Sequence, residues 1–281
     1  MTPRRSREQP APASGARPGA DPGEGRDVSV HHDGDVAVVT LHRPPHNLLT
    51  EPVLRALADA VTGLGPPTRA AVVCSEGRSF CAGADFRSGE APDPTDQSGF
   101  GARTAAFYRQ AVRVFDSPVP LVAAVQGAAI GAGFGLALAC DLCVVGEQGW
   151  FQANFVRLGI HPGFALSTTL PRAVGPGRAS ELLLTGRRVD GAEALRIGIA
   201  QRVVPSGDER SGALELARSI AGGAPLAVSS TRATLRRGLT DAARQAMHHE
   251  LAEQSALAGT TDAVEGVRAM LEGRDPRFEG R

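Results

Sequence analysis

Two short stretches hold most of the chemistry this chain offers, and both are built from small residues. "SFCAGADFRSG" runs from Ser79 to Gly89, and "QGAAIGAGFG" from Gln126 to Gly135. Each follows an apolar run with the composition of a strand and leads toward a helix start. Backbone N–H groups in the first turn of a helix lack internal partners and carry the positive end of the helix dipole. Two such ends that converge would make a pocket for one developing negative oxygen, formed by main chain alone. Small side chains are needed there so that a carbonyl group is able to approach. Glycine costs a helix interior about 1 kcal/mol relative to alanine, so the glycines of "GAAIGAGFGLALACDL" need a reason of this kind. Tight turns for close packing of helix on strand would draw on the same composition. For either stretch alone both readings stand; the pair is more specific.

The elements that must position these turns alternate in type. "VSVHHDGDVAVVTLHR" alternates apolar and polar residues about Asp33-Gly34, a hairpin signal. "TEPVLRALADAVTGL" predicts a helix with Thr50 as N-cap and Pro52 in its first turn. "RAAVVCSEG" reads as a buried strand, and "FGARTAAFYRQAVRVFDS" carries apolar residues at helical spacing. "LVAAVQG" is a strand, the glycine-rich segment opens a helix, and "DLCVVGE" is a strand again. Such alternation implies crossover units and an α/β core. Beyond Pro171 the pattern is nearly all helical, with one short strand in "AQRVVP". The expected division is a disordered tail at 1–26, an α/β core at 27–205, and a helical C-terminal region at 206–281.

Composition bounds the function. The chain has 281 residues, is 42% hydrophobic and has zero formal net charge, enough for one sizeable core and poor for bulk nucleic-acid binding. The tail "MTPRRSREQPAPASGARPGADPGEGR" lacks the apolar run of a signal peptide. No stretch is apolar enough to span a bilayer, so no membrane partner is expected. Cys140 and Cys143 form a C-x-x-C without a second pair, which reads as buried thiols in a reducing cytoplasm.

"RPPHNLLT", "SFCAGADF", "VQGAAIGAGFGLALACDL" and "FVRLGIHPGFALSTTLPRAVG" occur in the order and spacing of the crotonase superfamily, and the chain resembles its enoyl-CoA hydratase/isomerase members over roughly residues 27–270. The resemblance implies the crotonase (ClpP-like) spiral fold of repeated ββα units, and an acyl-CoA thioester as substrate. Coenzyme A enters as part of that substrate, with no permanently bound cofactor. The oxyanion-hole N–H groups would belong to Ala84 and Ala132, with Gly131 beside the latter in the substrate site. By the family pattern Ala82, Asp85, Phe86 and Arg87 lie along the CoA moiety, Arg87 offering a cation to a phosphate. A surface role for Arg87 and a helix-capping role for Asp85 are the alternatives. Asp141, between a helix and a strand, reads as structural. A cytoplasmic homotrimer, or a dimer of trimers, is expected from the family and from the length of the helical region after residue 225.

The same resemblance exposes a departure. Hydratases of this family hold water between two glutamates, whose positions here are Gly135 and Phe155, and several relatives use an aspartate at the position of Gly163. All three positions lack an acid. Phe155 makes the substrate site drier, which favours an apolar or aromatic acyl group. His161, with an unperturbed pKa near 6.5, is the substitute acid–base candidate, against a packing role. Tyr108, the sole tyrosine, borders the acyl pocket in relatives and is otherwise a core residue. His248 and His249 read as a solvated helix face. The expectation is an acyl-CoA enzyme of the hydratase/isomerase kind that is not a conventional hydratase. The alternative is a catalytically silent acyl-CoA-binding protein.

Overall fold

The computed structural model describes residues 27–85, 95 and 99–281. The expected tail therefore lies outside the described residues, as do Phe86 and Arg87.

The chain opens with the hairpin β1 (Val28–Asp33) and β2 (Val36–Leu41), followed by α1 (Glu51–Thr62) and β3 (Ala70–Ser75). Thr50 caps α1, its hydroxyl accepting from the Val53 N–H, as the sequence predicts. Next come α2 (Phe100–Val114), β4 (Leu121–Val125), β5 (Ala128–Ile130), α3 (Ala132–Ala139), β6 (Leu142–Gly146) and β7 (Trp150–Gln152). A 3₁₀ turn at Phe155–Leu158 leads to α4 (Leu166–Val174), α5 (Pro176–Thr185), β8 (Arg188–Asp190), α6 (Gly191–Ile197) and β9 (Arg202–Val204). Four helices close the chain: α7 (Glu209–Ala221), α8 (Pro225–Leu235), α9 (Leu239–Leu257) and α10 (Thr261–Glu272).

The strands form a six-stranded sheet in the order β1-β2-β3-β4-β6-β9 and a three-stranded sheet in the order β5-β7-β8. Successive units place one strand in each sheet, β4 then β5, β6 then β7, with a helix after each pair. This is the ββα spiral of the crotonase fold. From β2 to β9 the large sheet is parallel, and its inner strands are continuous apolar runs because both faces are covered. Val39, Val73, Ala123 and Val145 point into the main core, while Val38, Val72, Val122 and Val144 point to a second core with Ala213, Ala217 and Ala221 of α7.

One expectation needs correction. The region after Pro171 holds β8 as well as β9, so the small sheet draws its edge from a segment read as nearly all helical. Within the expected helical region, α7 covers one face of the large sheet, packing on β3, β4 and β6. α9 packs on α2 and α10 on the 3₁₀ turn, so the C-terminal helices are part of the body that carries the site.

Asp141 is structural, as read. Its carboxylate accepts from the Leu121 N–H at 2.8 Å and binds Arg232 and Arg236 of the α8 region at 3.0 and 3.1 Å. All four cysteines are free and buried. Burial pushes the Cys81 and Cys140 thiols up to about 12 and the Cys143 thiol higher still. Among the described residues no helix is long and apolar enough to cross a membrane.

Candidate active site

The segment after β3 lies between two neighbours. On one side the Leu49 N–H donates to Gly83 O and the Asp85 N–H to Leu49 O, both at 2.9 Å. On the other, Cys81 N–H donates to Ala128 O at 3.1 Å, and Ile130 N–H to Cys81 O at 2.9 Å. The parallel bridge of Leu49 with Ala84 turns the Ala84 N–H away from Leu49. The Ala132 N–H is the first of α3, after Gly131 at φ 53° and ψ −114°, a conformation that side-chain-bearing residues avoid. Among the described residues neither amide donates to a backbone carbonyl. Both alanines line one cavity of about 970 Å³.

The glycines of the second turn have distinct tasks. A Cβ on Gly133 would collide with the Cys81 carbonyl, so glycine there lets the start of α3 sit directly on the neighbouring strand. A Cβ on Gly135 would stand 2.6 Å from Cβ and Cδ1 of Phe164, so side-chain space at position 135 is already filled by a ring. A Cβ on Gly163 would overlap the Tyr108 hydroxyl and come within 2.7 Å of Gln254 Nε2. Two of the three positions without an acid are thus filled by a neighbour's side chain, and Phe155 lines the cavity as the third.

Phe164 is aimed by its backbone. Phe164 and Ala165 both have left-handed φ, 60° and 57°, which is uncommon for residues with a side chain. Glu250 of α9, fully buried, holds that turn: it accepts from Ala165 N–H at 2.8 Å, Ser167 N–H at 3.1 Å and Ser167 Oγ at 2.6 Å. Burial raises the Glu250 carboxyl above the usual carboxylate range, against the lowering effect of those hydrogen bonds. Beside it, burial first and then the Glu250 charge push the Tyr108 phenol well above its ordinary range.

Ala82, Ala84, Asp85, Gly131, Ala132, Phe155 and Gly163 all line the cavity, so the structure brings these sequence-predicted residues together. His161 is not among the lining residues. Its Nδ1 lies 2.8 Å from the Pro162 carbonyl oxygen, and its ring packs edge-on to His249 with centroids 5.8 Å apart. His249 thereby has a packing partner in addition to Glu253. Asp85 faces Arg43 at 3.8 Å, and the next described helix, α2, has Gly99 rather than Asp85 at its N-cap.

Several lining residues escaped the sequence reading. His46, in "RPPHNLLT", reaches Ser79 Oγ at 3.2 Å and is the only histidine among the described residues that line the cavity. Arg188 stacks its guanidinium 4.0 Å from the centre of the Trp150 ring, and Arg268 joins from α10. Gln254 reaches the cavity from α9. The signal for His46 was its place in the motif; Arg188, Arg268 and Gln254 had none, being surface-type residues in helical or turn sequence. The two lining carboxylates, Asp85 and Glu272, are both engaged by arginines, Glu272 by Arg274 at 2.6 Å.

Two residues of adjacent small-residue turns, Ala84 and Ala132, thus line one cavity with backbone amides that have no backbone partner among the described residues. The enoyl-CoA hydratase/isomerase sequence profile matches residues 31–281, and the chain belongs to that family. It is 34% identical to carnitinyl-CoA dehydratases of Salmonella paratyphi A and Salmonella agona over 260 residues, covering 89% of this chain and 97% of each relative. Among solved structures, it resembles an enoyl-CoA hydratase/isomerase from Pseudoalteromonas atlantica T6c with TM-score 0.79 and 29% identity, over 90% of this chain and 100% of that one. An enoyl-CoA hydratase from Mycobacterium avium subsp. paratuberculosis K-10 matches with TM-score 0.77 and 28% identity, over 90% and 99% of the two chains. The protein is an enzyme of the lyase or isomerase kind.

Proposed function

We propose that this enzyme binds an acyl-CoA thioester with its carbonyl oxygen between the Ala84 and Ala132 N–H groups, which hold it most strongly as an enolate. The observation that carries this reading is the pair of amides without backbone partners in one cavity. Main-chain donors fixed by the surrounding hydrogen bonds need no reorganisation as charge develops. Arg188 and Arg268, lining the same cavity, are suited to the phosphates of coenzyme A.

The reaction we propose is not conventional hydration. Adding water across a double bond needs a base for the water and an acid for the α-carbon, each typically contributing about 10²–10⁴-fold. The lining carboxylates are held by arginines, and the three family positions carry Gly135, Phe155 and Gly163. Elimination of water, the reaction named for the Salmonella relatives, asks for the same two proton carriers in reverse. Isomerisation, retro-Claisen hydrolysis or decarboxylation asks less of the protein, and His46 and Tyr108 are the titratable groups at hand besides those carboxylates. Turnover of an acyl-CoA panel, followed by mass spectrometry, tests this. The expected result is conversion of at least one thioester with no more than trace hydration of crotonyl-CoA. Rapid hydration of crotonyl-CoA would overturn it.

Self-association into a trimer or a dimer of trimers belongs to the same proposal. α8 has no buried residue within the single chain, and Leu226 and Leu235 on it are 87% and 66% exposed. Light scattering giving a monomer at micromolar concentration would refute it.

A further inference from the structure

Phe107, Phe155, Leu158, Ile160 and Phe164 give the cavity an apolar lining, and the Tyr108 and Gln254 side chains line it with them. Both residues are nearly buried, at 8% and 4% exposure. They are joined: Tyr108 Oη donates to Gln254 Oε1 at 3.0 Å, and Gln254 Nε2 donates to the His161 carbonyl at 2.8 Å.

A carboxamide has two N–H donors and two acceptor lone pairs, and a phenol has one donor and acceptor capacity on its oxygen. The two bonds above use the phenol proton, one lone pair of Gln254 Oε1 and one of its N–H groups. One amide N–H and one amide lone pair are left over, on a side chain that is 4% exposed. Burying such capacity is unfavourable unless something completes it. A pair that served only to tie α2 to α9 would be enclosed between those helices, whereas both side chains line the cavity. Gly163 is what admits them, because any side chain there would displace the Tyr108 hydroxyl.

We propose that Tyr108 and Gln254 form a subsite selecting an acyl group that carries an oxygen substituent, hydroxyl or keto, along its chain. This rests on the acyl-CoA reading above. The substituent oxygen accepts from the remaining Gln254 N–H. A hydroxyl also donates to the remaining lone pair of Gln254 Oε1. The expectation of a purely apolar or aromatic acyl group is thereby sharpened to a mostly apolar group with one oxygen.

The test is calorimetric titration of the full-length protein with hexanoyl-CoA and with its hydroxy and oxo derivatives at each carbon beyond the α-carbon. At least one derivative is expected to bind about tenfold more tightly than hexanoyl-CoA, the increment of one good hydrogen bond. That ratio is expected to fall toward unity in Gln254→Leu, which removes both groups that meet the substituent, and to fall less in Tyr108→Phe, which keeps the ring but no longer orients the carboxamide. A ratio within one variant is insensitive to a merely structural role for the pair. Equal binding of hexanoyl-CoA and every derivative, or a preference unchanged in both variants, would overturn the subsite and leave the acyl-CoA reading standing. Failure of every thioester to bind would overturn that reading and the subsite with it.

Discussion

Two parts of the cavity wall are built from different materials. One is the main chain at Ala84 and Ala132, the proposed donors, set by a run of backbone hydrogen bonds and by glycines that let chains touch. The other is made of side chains, Phe155, Phe164, Tyr108 and Gln254, brought from four separate segments. A part made of main chain tolerates change in side-chain chemistry, provided the side chains stay small. A part made of side chains decides which acyl group is held and which protons move, and a single substitution rewrites it. On the proposed reading, the contrast separates the groups that would hold the thioester from those that would choose its acyl chain.

The sharpest way to break this contrast is to remove a main-chain donor. Ala132→Pro deletes the amide at the first helical position, where proline fits the helix. A fall in kcat of roughly 10²–10³ is expected, the usual cost of one such donor. Unchanged turnover of a thioester substrate by a folded variant would show that the amide is not used.

A control lies outside both parts. Asp141→Ala strands Arg232 and Arg236, and a loss of roughly 2–3 kcal/mol in urea denaturation is expected, under the full cost of opening a buried pair because these side chains keep 13–15% exposure. Turnover per folded molecule should hold, which would separate stability from chemistry.

At the seam between the two parts, Gly135→Ala drives a methyl toward Phe164 and should cost about 1–3 kcal/mol by overpacking. In a Phe164→Ala background the penalty should largely vanish. A double-mutant cycle measures that coupling, and simple additivity would show that the ring yields freely.

A smaller effect concerns pH. The Glu250 carboxyl is held above its ordinary range, so the unfolded chain releases this proton at lower pH than the folded one. Its contribution to stability is fully present below the unfolded pKa and is lost as pH rises through the folded one. Denaturation midpoints followed upward from the ordinary glutamate range should show that slope in the native protein and a flatter one in Glu250→Gln. The smallest expected change is in thiol reactivity. Cys81 and Cys140, raised by burial to about 12, should stay unmodified by iodoacetamide near neutral pH and react only on unfolding.

The two small-residue turns were legible in the sequence as turns because their cause is local. Small residues between an apolar run and a helix start are contiguous in the chain, and so are the Asp33-Gly34 turn and the Thr50 cap. The side-chain part was legible only where a motif marked a missing acid, as at Phe155. Tyr108 and Gln254 stand 146 positions apart, and nothing within either helix announces the other. His161 misled for the same reason: a histidine two residues before Gly163 looks close to the site, yet the turn packs its ring against His249. The strands β5, β7 and β8 have three residues each, too few to show alternation, and β5 is hidden inside the glycine-rich run.

The contact between Gly135 and Phe164 imposes an order on mutational history. A glutamate introduced at position 135 meets a ring where its own Cβ must go, so the substitution is penalised before its carboxylate reaches the cavity. Pairing it with Phe155→Glu leaves that obstacle in place. Position 164 has to shrink before an acid at 135 is accommodated. On the proposed reading, a path toward hydratase chemistry through position 135 is therefore a ratchet that starts at residue 164, and laboratory evolution from this chain should find its early gains there.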